Sequence, residues 1–211
     1  MQKSYLRKSN IVYEYKKNLY LNITNRCPVK CLYCIKYKWK WMFRSHYLKL
    51  DKEPTYDQII NELKKHNLKN YNEIIFCGYG EPLMRYHLVK KIASWIKKNC
   101  PTAKIRINTN GLAEAYWGKN ISKELNKIID SVSVSVNAHN EKVYRSLHNT
   151  KIKKPLHKII KFIKNCKKHI SNITITTIDN PKININYIKQ LSKNLGIKFR
   201  KRKFLNKYEP W

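Results

Sequence analysis

A chain of 211 residues has the length of one domain and can bury a core without disulfide or metal staples. Its 42% hydrophobic content argues against disorder, and no apolar run approaches the ~20 residues that span a bilayer, so no membrane partner is expected. Charge is lopsided: 45 Lys and Arg against 13 acidic residues leave a formal net charge of +32.

Such a surplus suits a polyanionic or nucleic-acid substrate, bound through counterion release. It equally suits a composition biased toward Lys, Asn, Ile and Tyr, because the basic residues are scattered, with only modest runs such as Lys198–Lys203. The Met1–Lys8 segment is not followed by the apolar core of a secretory signal. A cytoplasmic location is therefore expected, where thiols stay reduced. Six cysteines there point to metal ligation or to buried thiols.

In chain order, Leu19–Ile23 reads as a short strand, and a triplet of Cys27, Cys31 and Cys34 follows it directly. Residues 35–53 interleave aromatics with cations, which suits either stacking on bases or a lid beside the triplet. Tyr56–Lys65 carries apolar residues at helical spacing. Glu73–Cys77 predicts a strand ending at Gly78, and His87–Lys98 a helix stopped by Asn99-Cys100-Pro101. Lys104–Asn108 alternates and ends at an Asn110-Gly111 turn, Ile121–Ile129 predicts a helix, and Ser131–Val136 is a strict period-two strand. Pro155–Cys166 predicts an amphipathic helix, Ile173–Ile178 a strand, Ile185–Leu195 a helix and Ile197–Phe204 a final basic strand. Strands alternating with helices call for a parallel sheet, and six strands fall two short of a closed barrel. The expected fold is α/β: a partial, open (β/α)6 TIM-like barrel with its chemistry at the C-terminal strand ends.

The triplet is the strongest chemical signal. Spacings of four and three residues let one loop wrap three thiolates around a single centre. A [4Fe–4S] cluster normally takes four cysteines, so three leave one iron open, as catalytic metal sites leave a position open. Two other readings stand: a Cys3His zinc site completed by His46, and three unrelated thiols. Cys77, Cys100 and Cys166 lack ligand spacing and read as small buried hydrophobes.

The remaining motifs sit at strand ends. Gly78 and Gly80, in Gly78-Tyr79-Gly80-Glu81-Pro82, permit a ligand to approach the main chain closely. Asn108-Thr109-Asn110-Gly111 reads as a turn. Ser131, Ser133 and Ser135 share one strand face, where burial would be costly without a hydrogen-bonding partner, and Asn137 follows at the strand's end.

In this order and spacing, the motifs resemble the radical S-adenosylmethionine (SAM) superfamily. The pattern Cys27-x3-Cys31-x2-Cys34, with the aromatic Tyr33 before its last cysteine, is similar to that superfamily's signature. Within it, Leu19–Cys27, Ile75–Pro82, Ile105–Leu112 and Ser131–Asn137 resemble the TatD family-associated radical SAM proteins, over about residues 11–204 of a single domain covering 1–211 with short basic extensions.

The resemblance implies a [4Fe–4S] cluster on Cys27, Cys31 and Cys34, with SAM on its open iron. Reductive cleavage of SAM would yield a 5′-deoxyadenosyl radical that acts on a substrate the sequence does not name. It further implies SAM contacts from Tyr33, Gly78, Tyr79, Gly80, Glu81, Pro82, Asn108, Asn110, Ser133, Ser135 and Asn137, and from Arg145 to the SAM carboxylate. Tyr79 departs from the usual Gly-Gly-Glu-Pro motif. Implied partners are SAM, an external electron donor of flavodoxin or ferredoxin type and a TatD-family hydrolase. Rival readings are an enzyme like the 7-carboxy-7-deazaguanine synthases and a non-catalytic basic nucleic-acid-binding protein with a structural zinc.

Overall fold

The computed structural model describes residues 8–205. The expected basic extensions lie in part outside them. Seven strands form one sheet: β1 (Val12–Tyr15), β2 (Asn18–Leu21), β3 (Ile74–Phe76), β4 (Ile105–Thr109), β5 (Ser131–Ser135), β6 (Asn172–Ile178) and β7 (Lys198–Arg202), in that spatial order. β1 runs antiparallel to β2, and every later pairing is parallel. This is the parallel sheet of the expected partial barrel, with β1 added as an unforeseen antiparallel edge.

Register decides which side chains meet. Tyr20 pairs with Ile75, Ile75 with Arg106, and Asn108 with Ser133. Ser135 pairs with Thr176, and Thr176 with Arg200. Successive residues on a strand point to opposite faces. One face therefore carries Cys77, Asn108, Ser133, Ser135, Thr176, Arg200 and Arg202, and the other carries Ile107, Val132, Val134 and Ile175.

Helices cover the apolar face. α2 (Tyr56–Leu63) buries Ile59 and Leu63, and α3 (Tyr86–Asn99) buries Val89, Ile92 and Ile96. α6 (Pro155–Lys167) buries Ile159, Phe162 and Ile163, and α7 (Ile185–Asn194) buries Ile188. Each such side chain removed from water contributes ~1.5–3 kcal/mol. α2 starts at a capping box: the Gln58 N–H donates to Thr55 Oγ1 and the Thr55 N–H donates to Gln58 Oε1.

Several elements depart from the sequence reading. Ile121–Ile129 is no α-helix; only a 3-10 turn forms at Ser122–Leu125. The Asn120 side chain captures the N–H and hydroxyl of Ser122, and Lys127 takes a left-handed φ of 65°, which ends the helical path. Short helices α4 (Ala113–Trp117) and α5 (Glu141–Leu147) stand where none was delimited. Residues 35–53 fold into α1 (Ile35–Lys38) and a small hairpin pairing Met42–Phe43 with His46–Tyr47. Among the described residues, no helix is long and apolar enough to cross a membrane.

Candidate functional site

The polar sheet face and the loops at its C-terminal edge enclose a cavity of about 440 Å³, within the range of small-molecule sites. Cys27, Cys31 and Cys34, all free thiols, line it together. Contacts on two sides pin their loop. On one side, Lys30–Cys31 pairs antiparallel with His148–Asn149, and the Thr150 hydroxyl donates to the Pro28 carbonyl at 2.9 Å. On the other, the Glu81 N–H donates to the Arg26 carbonyl at 2.8 Å.

The glycines explain how closely the second motif approaches. A Cβ on Gly80 would overlap the Thr24 carbonyl oxygen and lie 2.8 Å from that of Arg26. A Cβ on Gly78 would overlap the side chain of Asn22, which anchors the Asn10 and Leu48 carbonyls. The Gly78–Glu81 loop is thus seated against the segment that leads into Cys27.

Glu81 ties the second motif to the third. Its buried carboxylate accepts the Thr109 hydroxyl at 2.8 Å and the Asn110 N–H at 2.7 Å. Burial raises its pKa to about 7, against the lowering effect of those donors. Asn110 in turn donates through Nδ2 to Cys27 Sγ at 3.5 Å.

Tyr33 anchors a fourth link. Its hydroxyl accepts Asn137 Nδ2 at 2.7 Å and donates to His148 Nε2 at 2.5 Å, since Nδ1 of that ring donates to the Tyr144 carbonyl. Burial keeps His148 below the ordinary histidine range and therefore neutral near pH 7.

The cavity thus gathers Tyr33, Gly78, Tyr79, Gly80, Glu81, Asn108, Asn110, Ser133, Ser135 and Asn137 with the three cysteines. Pro82 lies buried at the start of a 3-10 turn rather than in the wall. Arg145 is not in the wall either. It is exposed on α5 and donates to the Thr150 and Ile152 carbonyls. Cys100 and Cys166 are buried as expected, whereas Cys77 lines the cavity, contrary to its reading as core.

The aromatic hairpin flanks the cavity. Phe43 reaches the cavity beside Tyr13 and Tyr20, the Tyr79 hydroxyl donates to the Met42 carbonyl at 2.5 Å, and Lys36 lies 5.3 Å over the Trp41 ring. The sequence also missed His148, Thr176, Arg200 and Arg202. The period-two spacing of the two arginines on the last strand was the available signal.

The donor set discriminates among the groups it could hold. His46 cannot complete a zinc site with the triplet, because its Nε2 bonds the Glu14 carbonyl and its ring lies 5.0 Å from Tyr13. Among the described residues, no three His, Cys, Asp or Glu side chains converge on one ion. A cubane cluster is wider than an ion and takes one thiolate per iron, so three thiols spread along one loop fit it. Burial pushes the Cys27 thiol up to about 11 and the Cys31 thiol up to about 12, so these donors require a cationic centre to ionise them.

Residues 21–195 match the family model of the Radical SAM superfamily. The chain belongs to the radical SAM superfamily. Enzymes of this superfamily use a [4Fe–4S] cluster and SAM. The chain is 27% identical over 143 residues to the GTP 3′,8-cyclase of Staphylococcus saprophyticus, covering 65% of this chain and 38% of that protein. It is 28% identical over 122 residues to an uncharacterised protein of Methanocaldococcus jannaschii, covering 57% of this chain and 38% of that one. It therefore spans well under half the length of these curated relatives. The structure of TYW1 with a lysine-pyruvate adduct superposes with a TM-score of 0.64 at 13% identity, covering 92% of this chain and 66% of that one. anSMEcpe with bound AdoMet superposes with a TM-score of 0.62 at 18% identity, covering 88% and 50%. At such identity the two superpositions establish the fold.

Proposed function

We propose that this radical SAM protein holds a [4Fe–4S] cluster on Cys27, Cys31 and Cys34 and cleaves SAM reductively. The single observation that carries this reading is the meeting of the three thiols with the Gly78–Glu81, Asn108–Asn110 and Ser133–Asn137 strand ends in one cavity. Cys27, Cys31 and Cys34 would hold the cluster, which would supply the electron that breaks a SAM carbon–sulfur bond and so opens hydrogen-abstraction chemistry on the substrate.

The chain's own residues do the positioning. The Gly78–Glu81 backbone offers room for the SAM amino group, Ser133, Ser135 and Asn137 offer hydrogen bonds to its ribose, and the flanking hairpin excludes water. An external flavodoxin- or ferredoxin-type donor supplies electrons in the cytoplasm, and the 1–211 chain works as one domain.

On the substrate side, the motifs support a TatD-associated type with a TatD-family hydrolase as partner, and the similarity to GTP 3′,8-cyclases together with the +32 charge supports a phosphorylated or nucleic-acid substrate. The test is anaerobic reconstitution followed by reduction in the presence of SAM. About four irons per chain and release of 5′-deoxyadenosine are expected. Stoichiometric zinc without SAM cleavage would overturn the reading.

A further inference from the structure

Three guanidiniums, of Arg106, Arg200 and Arg202, project from the polar face of the sheet, and the two less exposed of them, Arg106 and Arg202, differ in one respect. Arg106 on β4 is paired: its NH2 lies 2.9 Å from Glu73 Oε2, and its NH1 donates to Asn108 Oδ1 at 3.0 Å. Arg202, at the end of β7, has no such partner. Its NH2 donates to Ser135 Oγ at 3.3 Å, and its Nε is sealed from solvent with no acceptor. Among the described residues, no carboxylate forms an ion pair with it. Its neighbour Lys201, on the opposite face, does have one, in Asp179 at 2.8 Å.

A guanidinium drawn out of water without a counter-charge is costly, and its planar fork matches carboxylate or phosphate oxygens. The imbalance is local. Arg200 precedes Arg202 by two residues and shares its face, Lys203 follows it, and all three line the cavity. Arg200 and Lys203 are exposed at the rim, whereas Arg202 is partly buried. A wall with three cations and one orphaned donor is built to receive an anion. Its place in the strand order is also informative, since β7 closes the sheet at the end away from β2, whose loop carries the cysteines.

We propose that Arg202, supported by Ser135 and flanked by Arg200 and Lys203, forms an oxyanion subsite that receives a carboxylate or phosphate of the reacting substrate. The inference rests on the cluster-and-SAM reading above and adds to it the chemical class of the second ligand. SAM carries a carboxylate of its own, so the test separates the two sources.

The experiment uses iron-reconstituted protein with saturating SAM, and reads radiolabelled pyrophosphate binding by equilibrium dialysis at about 0.3 M salt, where contacts with exposed lysines are screened. One saturable site is expected in the wild type and in Lys189→Gln, an exposed control on α7. Arg202→Gln should weaken that site about tenfold, while SAM affinity stays within about twofold. Without ligand, Arg202→Gln should melt no lower than wild type, because it removes an uncompensated charge.

Unchanged pyrophosphate affinity in Arg202→Gln would overturn the proposal. So would a roughly tenfold loss of SAM affinity, which would assign the guanidinium to the SAM carboxylate, or a melting temperature lower by several degrees, which would make it structural. Iron content is read on the same samples, and pyrophosphate binding is measured whether or not iron is retained. Failure of the cluster reading is thereby distinguished from failure of this one.

Discussion

The Glu81 carboxylate accepts the backbone N–H of Asn110 at 2.7 Å, joining the loop after β3 to the loop after β4 inside the cavity wall. Because Asn110 also donates to Cys27 Sγ, one buried carboxylate positions a donor to the Cys27 sulfur. Burial raises its pKa from 4.5 to about 7 in the fold. A carboxyl that is harder to ionise when folded binds more protons in the native state. Its contribution to stability is therefore complete below about pH 4.5 and is lost as pH rises through about 7. Without SAM, unfolding free energy should fall across that window by about 3 kcal/mol through this group. Glu81→Gln should flatten the slope, as read by denaturant titration at several pH values; an unaltered slope would show that Glu81 does not titrate there.

Gly80→Ala should damage the site through the backbone. The added methyl meets the Thr24 and Arg26 carbonyls, neither of which can swing aside. Overpacking of this kind costs ~1–3 kcal/mol, and the displaced loop should also lose SAM affinity. Thermal melting and SAM titration check both. Wild-type values for the pair would mean that the loop tolerates more room than its geometry shows.

Much of this was legible in the residues. Alternation of strand and helix patterns gave six parallel strands, and a strand with one polar and one apolar face advertises itself by period two, as Ser131–Ser135 does. The cysteine spacing singled out a loop that lines the cavity, and the strand-end rule singled out Gly78–Glu81 and Asn108–Asn110, which line it too. Other features were hidden for physical reasons. Arg202 sits in a basic run, which from sequence alone looks like a solvated edge. His148 meets Tyr33 across 115 positions, a contact that only the fold creates. Cys77 resembles any strand-ending hydrophobe until register turns it into the cavity. The Ile121–Ile129 segment has apolar residues enough for a helix, yet Asn120 captures the local backbone.

Asn110→Ala should make the cluster harder to reduce. Hydrogen bonds to cluster sulfurs raise the reduction potential, and Nδ2 of Asn110 supplies one to Cys27. A redox titration followed by electron paramagnetic resonance should show a more negative midpoint with iron content retained. An unchanged midpoint would mean that the contact does not persist on the ligated sulfur.

Arg145→Ala separates the resemblance from the geometry. The arginine braces the Thr150 and Ile152 carbonyls from the exposed side of α5. Loss of such surface contacts should cost under about 1 kcal/mol and leave SAM affinity within about twofold. A tenfold weaker SAM titration would instead restore Arg145 to the carboxylate role its motif implies.

In the proposed cluster one iron is left without a protein ligand, in the cavity built by Cys27, Cys31 and Cys34. Electron paramagnetic resonance of the dithionite-reduced, anaerobically reconstituted protein reads it directly. Adding SAM should change the spectrum of the reduced cluster as the open iron gains ligands. A cluster spectrum indifferent to saturating SAM, or protein that takes up no iron with its thiols intact, would contradict the account.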